Sequence, residues 1–415
     1  MEREMGTHTS ATEAPPRHHV LRSPLELPCG IVLKNRITKT AMSDSLADGE
    51  GDSTGAQARL YERWAEGGVA LAIIGEVQIF PDYPEKPGNL VFGPQSNRNA
   101  LKSLIDRTLA HGAQLWPQLS HCGALAHPPI SRPKGPSALE LPGFSCGGLS
   151  VEEIEALPAI YAQAAVFAKE TGFPGVQIHA GHGFLLSQFI SPLFNKRTDR
   201  FGGSIEARAQ IFVMIIDAIR AAVGPAYPVS IKFNSTDKLE GGLTEDDAYE
   251  VVRMLDDTSI DLIDISGGTY FPGAKASSDA PSSGGPYFIE FARRARGATK
   301  KPLQLTGGFE TRDHAAEAVA SGAADMCGLA RANVLMPDLA NTWLYGDGSN
   351  PQFPRFEAPP HGGVTAWYTM RINALGTDTD KAFSMDAHEA MRLYNARDDE
   401  RAIRWRKKFP LSPPL

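Results

Sequence analysis

Residues 175–208 read GVQIHAGHGFLLSQFISPLFNKRTDRFGGSIEAR, and the rest of the chain is organised around them. Val176, Gln177 and Ile178 predict a short buried strand, followed directly by a turn rich in Gly and His. His179 and His182 leave that strand end three residues apart. In α/β proteins a strand ending in polar residues delivers side chains to a pocket. Two neutral imidazoles pointing together offer two N–H donors and no fixed charge, which suits polarising a carbonyl or nitro oxygen. The spacing also allows a structural histidine pair, or two ligands of a metal needing a third from elsewhere. No HExxH or CxxC stands nearby to supply one.

On either side of this stretch, strand and helix patterns alternate. Apolar runs at 36–42, 69–74 and 114–119 precede it, and runs at 229–233, 262–266, 303–306 and 326–329 follow. Between them lie helical periodicities: 55–67 with Leu60 and Trp64, 97–111 with Leu101, Leu104 and Ile105, and 287–298. Ser150 with Glu153, and Thr244 with Asp247, have the spacing of capping boxes; Ser204 and Thr311 open two further helices. Eight such units predict a (β/α)₈ TIM barrel. A doubly wound sheet would show GxGxxG after its first strand, and none stands there. The predicted division is a disordered tail over 1–19, the barrel over 20–345, and a helical C-terminal extension over 346–415. That extension is expected to pack on the barrel or on a neighbouring subunit of a homo-oligomer. The Gly/Pro-rich stretch 121–149 reads as a substrate-binding loop.

The 415 residues carry a net charge of −7, which gives no basic footprint and argues against nucleic acid as a partner. Cys29, Cys122, Cys146 and Cys327 are scattered, with neither metal spacing nor a disulfide framework. A reducing cytoplasmic setting fits them. No apolar run is long enough to span a bilayer, and the first residues lack a signal peptide's apolar core.

The run His179-Ala-Gly-His182-Gly-Phe-Leu-Leu-Ser-Gln-Phe-Ile-Ser-Pro-Leu-Phe-Asn-Lys-Arg-Thr-Asp-Arg-Phe-Gly-Gly-Ser closely resembles the signature of the Old Yellow Enzyme family of FMN-dependent NAD(P)H oxidoreductases. That resemblance implies FMN over the carboxyl-terminal mouth of the barrel, with NADPH or NADH as reductant. It also implies a role at each strand end. Ala41, Met42 and Ser43 match a turn that touches the flavin, with Ala41 where proline is usual. Gly75 would let backbone approach the ring. Gln118, in an intact Q-L-x-H, would pair with the pyrimidine edge, although Ala124 stands where the family has arginine. Lys232 would stabilise negative charge near N1. Gly307 and Gly308, with Gly328, Leu329 and Arg331, match the phosphate site, where free amides and a guanidinium attract an anion. Without the resemblance, Ser43 reads as a helix cap or turn residue, Gly75 equally as a mere turn, and Lys232 as an edge lysine reaching solvent; Trp116 reads as core packing in either case.

One departure bears on chemistry. Phe184 occupies the position of the family's proton-donating tyrosine, and phenylalanine has no proton to give. Tyr270 is a candidate substitute or a structural aromatic. The implied activity is ping-pong hydride transfer to a small molecule bearing an activated alkene, such as an enone, with its oxygen held by His179 and His182. The alternatives are a flavin-dependent isomerase or cyclase without net reduction, and a flavin-binding protein without turnover.

Overall fold

The apolar runs become eight strands: β1 Ile37–Lys39, β2 Leu71–Gln78, β3 Gln114–Ser120, β4 Val176–Ala180, β5 Val229–Asn234, β6 Leu262–Ser266, β7 Leu303–Thr306 and β8 Met326–Leu329. Each pairs in parallel with the next in chain order, and β8 closes on β1 through Cys327↔Ile37 and Gly328↔Thr38. This is the predicted (β/α)₈ barrel, seen in a computed structural model that describes residues 17–271, 274 and 284–411. The helices between strands are α1 Gly55–Glu66, α2 Arg98–Leu109, α3 Val151–Thr171, α4 Leu185–Ile190, α5 Ile205–Val223, α6 Glu245–Asp256, α7 Ile289–Ala295 and α8 Arg312–Ala320. After β8 come α9 Arg331–Leu335 and α10 Leu339–Leu344.

Outward-facing Ile74, Leu115, Ile178, Ile231, Ile263 and Leu305 pack against Leu60, Leu104, Ile154 and Ile215 of the helices, all fully shielded from water. Each such side chain contributes roughly 1.5–3 kcal/mol relative to exposure. Inside the barrel, Leu71, Ile73, Trp116, Leu262 and Met326 fill the lower layers, plugged from below by Leu25, Leu27 and Leu33 of a small hairpin. The registers His179↔Lys232, Lys232↔Asp264 and Asp264↔Gln304 then raise a polar layer above that apolar floor.

The caps follow the sequence with one exception. Ser150 and Glu153 form both halves of a capping box. At α6 the Thr244 hydroxyl accepts from the Asp247 amide, but the Asp247 carboxylate turns to the Arg208 guanidinium at 2.9 Å, so the reciprocal half is replaced by an ion pair.

Several boundaries move. β1 is shorter than 36–42, because the chain leaves the ladder after Thr40 and rejoins the sheet only as the isolated bridge Ser43↔Gly75. β2 runs past Gly75 to Gln78 through a β-bulge: Ile74 pairs with Pro117 and Val77 with Leu119, so Gly75 and Glu76 together oppose Gln118. The expected helix over 287–298 contracts to α7. Stretch 121–149 contains its own small sheet of Lys134–Gly135, Leu139–Leu141 and Phe144–Gly148. Residues 17–19 of the expected disordered tail begin a 3₁₀ turn, Arg17–Arg22, and the rest of that tail lies outside the described residues.

In the C-terminal extension, α11 Gly363–Gly376 lies on α1, where the Arg63 guanidinium donates to Leu375 O and pairs with Asp380 at 2.6 Å. Helix α12 Ala387–Lys408 fastens the loop that follows β1: Arg401 donates to Ser45 O at 2.7 Å and Arg404 to Asp48 O at 2.8 Å. Among the described residues, no helix is long and apolar enough to cross a membrane.

Candidate active site

The turn after β4 is held from three sides. Asn234, at the end of β5, accepts from the His182 amide at 2.9 Å and donates to Gly268 O at 2.8 Å. It thereby ties this turn to the loop after β6. Gln188 of α4 donates to Gly183 O at 2.7 Å and to Cys122 O at 3.2 Å, joining the loop after β3. Gly183 is left-handed, and a Cβ there would collide with the Thr269 hydroxyl. The later part of the signature stretch fastens rather than reacts. Arg197 donates to the carbonyls of Pro136 and Leu149, and the Asn195 amide to those of Phe189 and Phe201.

The two imidazoles meet, but in series. His179 Nε2 lies 3.3 Å from His182 Nδ1, and His182 Nε2 lies 3.0 Å from the Ser266 hydroxyl. Behind them, His179 Nδ1 is 3.3 Å from Glu76 Oε1, while the Ser120 hydroxyl donates to Glu76 Oε2 at 2.7 Å. The expectation of two parallel donors is thus corrected. One ring is committed to the other, and the nitrogen that remains, His182 Nε2, meets the Ser266 hydroxyl. Burial, with a smaller contribution from the nearby Lys232, keeps both rings neutral: it pulls His182 down to about 3 and His179 well below the usual 6.5. No metal-binding group of His, Cys, Asp or Glu gathers at this turn among the described residues; the one such cluster, Glu62, Glu66 and His111, lies on the outer helices.

Sequence reasoning missed Glu76, Ser120, Ser266 and Asn234. The bulge explains Glu76, since an extra residue in β2 re-aims its side chain. Its φ of +61° and that of His182, +60°, are left-handed for non-glycine residues. Such backbone costs on the order of 1 kcal/mol or more and gathers at functional sites. Burial first, then the neighbouring Glu85 carboxyl, pushes the Glu76 carboxyl from 4.5 up to about 8.

Beside His179 the same polar layer is closed by hydrogen bonds. The Lys232 ammonium donates to Thr40 Oγ1 at 2.7 Å and pairs with Asp264 at 3.3 Å, both charged groups being fully buried. Thr306 donates to Asp264 at 2.7 Å, and Gln118 reaches Gln177 at 2.7 Å, which reaches Asp264 at 3.3 Å. The reading of Lys232 as an edge lysine in solvent is excluded by this enclosure. Trp116 is core, as expected. A cavity of about 960 Å³ lined by Ile79, Phe80, Phe92, Phe167 and Phe409 lies outside the barrel and holds none of these groups.

The sequence profile of the NADH:flavin oxidoreductase / NADH oxidase family matches residues 21–347. The chain belongs to this family. The resemblance to Old Yellow Enzymes read from the signature stretch is thereby borne out. Two similar proteins are named NADH-dependent flavin oxidoreductase iliE. That of Hypocrea jecorina is 30% identical over 400 residues, covering 87% of this chain and 98% of the relative. That of Neonectria sp. is 32% identical over 389 residues, covering 83% of this chain and 49% of the relative, so the chain spans about half its length. A solved 2-naphthoyl-CoA reductase complexed with 2-naphthoyl-CoA superposes with a TM-score of 0.78 at 26% identity, covering 88% of this chain and 59% of that one.

In this member of the family, the positions expected to touch flavin lie in the carboxyl-terminal halves of the strands or in the segments that directly follow them. Ala41, Met42 and Ser43 run beside β2, and Gly75 is glycine because a Cβ there would collide with the Met42 backbone. The space it leaves is therefore filled by the protein's own chain. The Ser43 hydroxyl donates to Glu85 at 2.7 Å, which commits its proton but not its lone pairs. The pairing Thr306↔Gly328 sets Gly307 and Gly308 beside Gly328, Leu329 and Arg331. Gly307 and Gly308 are both left-handed, and the Arg331 guanidinium lies 5.8 Å from the ring of Tyr368 in α11. Phe184 is buried, its ring 5.0 Å from that of His179. Tyr270 accompanies the turn, its amide donating to His182 O at 3.0 Å and its ring 6.0 Å from both His182 and Phe184.

Proposed function

We propose that this chain is an FMN-dependent NAD(P)H oxidoreductase of the ene-reductase type, acting on small molecules with an electron-poor alkene. The observation that carries this reading is a neutral imidazole chain ending at His182 Nε2, beside a buried lysine on the neighbouring strand. The donor set fits FMN. Gly307, Gly308, Gly328, Leu329 and Arg331 would take its phosphate. Lys232 and Gln118 would face its pyrimidine edge, and Ala41, Met42, Ser43 and Gly75 would border the ring. Bound there, FMN supplies transfer of a hydride from the nicotinamide to the alkene. The relatives named NADH-dependent support NADH as the nicotinamide.

The chain's own residues do the rest. His182, oriented by His179, donates to the substrate's carbonyl oxygen in place of, or beside, Ser266. An uncharged donor strengthens as negative charge grows on that oxygen, which is where charge accumulates when hydride adds to the β-carbon. Water is excluded below by the polar layer and its apolar floor.

The test is the visible absorption spectrum of the purified protein, followed by titration with a phenol. A flavin band and a new long-wavelength charge-transfer band are expected; colourless protein that cannot be reconstituted with FMN would refute the reading. A second reading is favoured by the buried Phe184. With no phenol to protonate the α-carbon, the site could return its hydride and isomerise the substrate without net reduction. NADH consumed in step with saturated product excludes that reading.

A further inference from the structure

We infer that Glu76, His179 and His182 form a proton relay that protonates the substrate's oxygen, so that the α-carbon proton Phe184 has no means to give is taken from solvent. This deepens the reading above and rests on it for the identity of the substrate.

The relay stands on geometry. Its three groups come from β2, β4 and the turn after β4, their two successive separations are both 3.3 Å, and the Ser266 hydroxyl of β6, 3.0 Å beyond His182 Nε2, marks where a substrate oxygen would sit. Glu76 Oε2 accepts from Ser120, so Oε1 is the oxygen left to carry a proton toward His179 Nδ1. In the loaded state Glu76 is a neutral acid, His179 carries its proton on Nε2 and donates to His182 Nδ1, and His182 presents Nε2–H outward. Two of the line's residues are left-handed, Glu76 at its inner end and His182 as its outermost imidazole. A buried carboxyl next to neutral rings is otherwise an expensive thing to keep, unless its proton is used.

The step balances as follows. Hydride forms a C–H bond at the β-carbon, and the alkene electron pair moves to leave negative charge on the carbonyl oxygen. The His182 Nε2 proton forms the new O–H bond. The His179 Nε2 proton moves to His182 Nδ1, and the Glu76 proton moves to His179 Nδ1. The products are an enol and the Glu76 carboxylate, with both rings neutral and their tautomers reversed. The enol leaves and becomes the ketone in water, taking its α-proton from solvent, and Glu76 is reloaded from solvent through His182. Glu76 touches no substrate, so it is a positioning residue that acts through His179.

The groups facing Glu76 set when the relay is loaded. Glu85 of the loop after β2 raises its affinity for a proton, and Lys232 of β5 and the Ser120 hydroxyl lower it. Cys122 after β3 and Tyr161 of α3 are held protonated by burial, and the exposed Tyr270 after β6 carries no charge near neutrality. With Glu76 at about 8, the relay is loaded below that pH and emptied above it.

The test reads the tautomers directly, by ¹⁵N NMR of histidine-labelled holoprotein. In the wild type, His179 should pass from Nε2–H to Nδ1–H as pH rises through about 8. Glu76→Gln, whose amide does not titrate, should hold a single His179 tautomer at every pH. Ser120→Ala, which removes a donor to the carboxylate, should move the change upward by about one pH unit. Turnover of an α-methyl enone should give both configurations at the α-carbon. A single configuration, or a pH-dependent tautomer change surviving in Glu76→Gln, overturns the relay. Failure of NADH to reduce the bound flavin would instead overturn the proposed function, and the tautomer measurement stands apart from it.

Discussion

Replacing Lys232 by methionine removes a cation from a place without water. The side chain keeps nearly its length, but the fully buried Asp264 carboxylate loses its counter-charge at 3.3 Å and retains only the donors of Thr306, Thr40 and Gln177. Breaking one side of a buried pair costs about 3–5 kcal/mol. Unfolding entropy of about 2.1 cal/mol/K per residue, over 415 residues, amounts to about 0.9 kcal/mol per degree. The melting midpoint should therefore fall by about 3–6 °C. Calorimetry at pH 7 and matched flavin content measures this, because bound ligand would otherwise shift the midpoint by itself. Lys232→Met combined with Asp264→Asn should recover at least half of the loss, since no isolated charge remains. If the double variant falls by the sum of the two single losses, or Lys232→Met by less than about 1 °C, the pairing has been misjudged.

His179→Ala with His182→Ala should abolish the phenol charge-transfer band while leaving FMN bound; unchanged phenol affinity would remove these residues from the site. Arg331→Ala should do the reverse, weakening FMN retention about tenfold or more in equilibrium dialysis, as expected for losing a charged phosphate donor. Gly75→Ala drives a methyl group into the Met42 backbone and should cost about 1–3 kcal/mol, seen as a lower melting midpoint together with a weaker flavin band. Glu76 gives a pH effect of definite sign. Its acid is raised from 4.5 to about 8, so the folded state holds a proton there that the unfolded state has lost, and stability falls as pH rises across that window. Glu76→Gln should flatten the fall and exceed the wild type at pH 8.5 by up to about 5 kcal/mol in urea titrations; an unchanged slope would show that the carboxyl is not held neutral.

The sequence by itself determined what depends on neighbours within a few residues. Alternating apolar runs and caps such as Ser150, Ser204 and Thr311 placed eight strand–helix units, because helix and strand periods are written locally. The polar residues that close strands, His179 and Lys232 among them, stood out as misfits in apolar runs. The same logic applied to LIDIS and LAIIGEVQ would have singled out Asp264 and Glu76. What the tertiary structure alone decided is partnership. Lys232 meets Thr40 across 192 positions of chain, and the loop behind Ser43 is fastened by Arg401 across 356. A bulge turned Glu76 inward, and the closing of the barrel put His179 behind His182 rather than beside it. Barrel closure sets which buried charge finds which partner, and a one-residue shift of a strand is invisible to any local pattern yet sends a side chain to the opposite face.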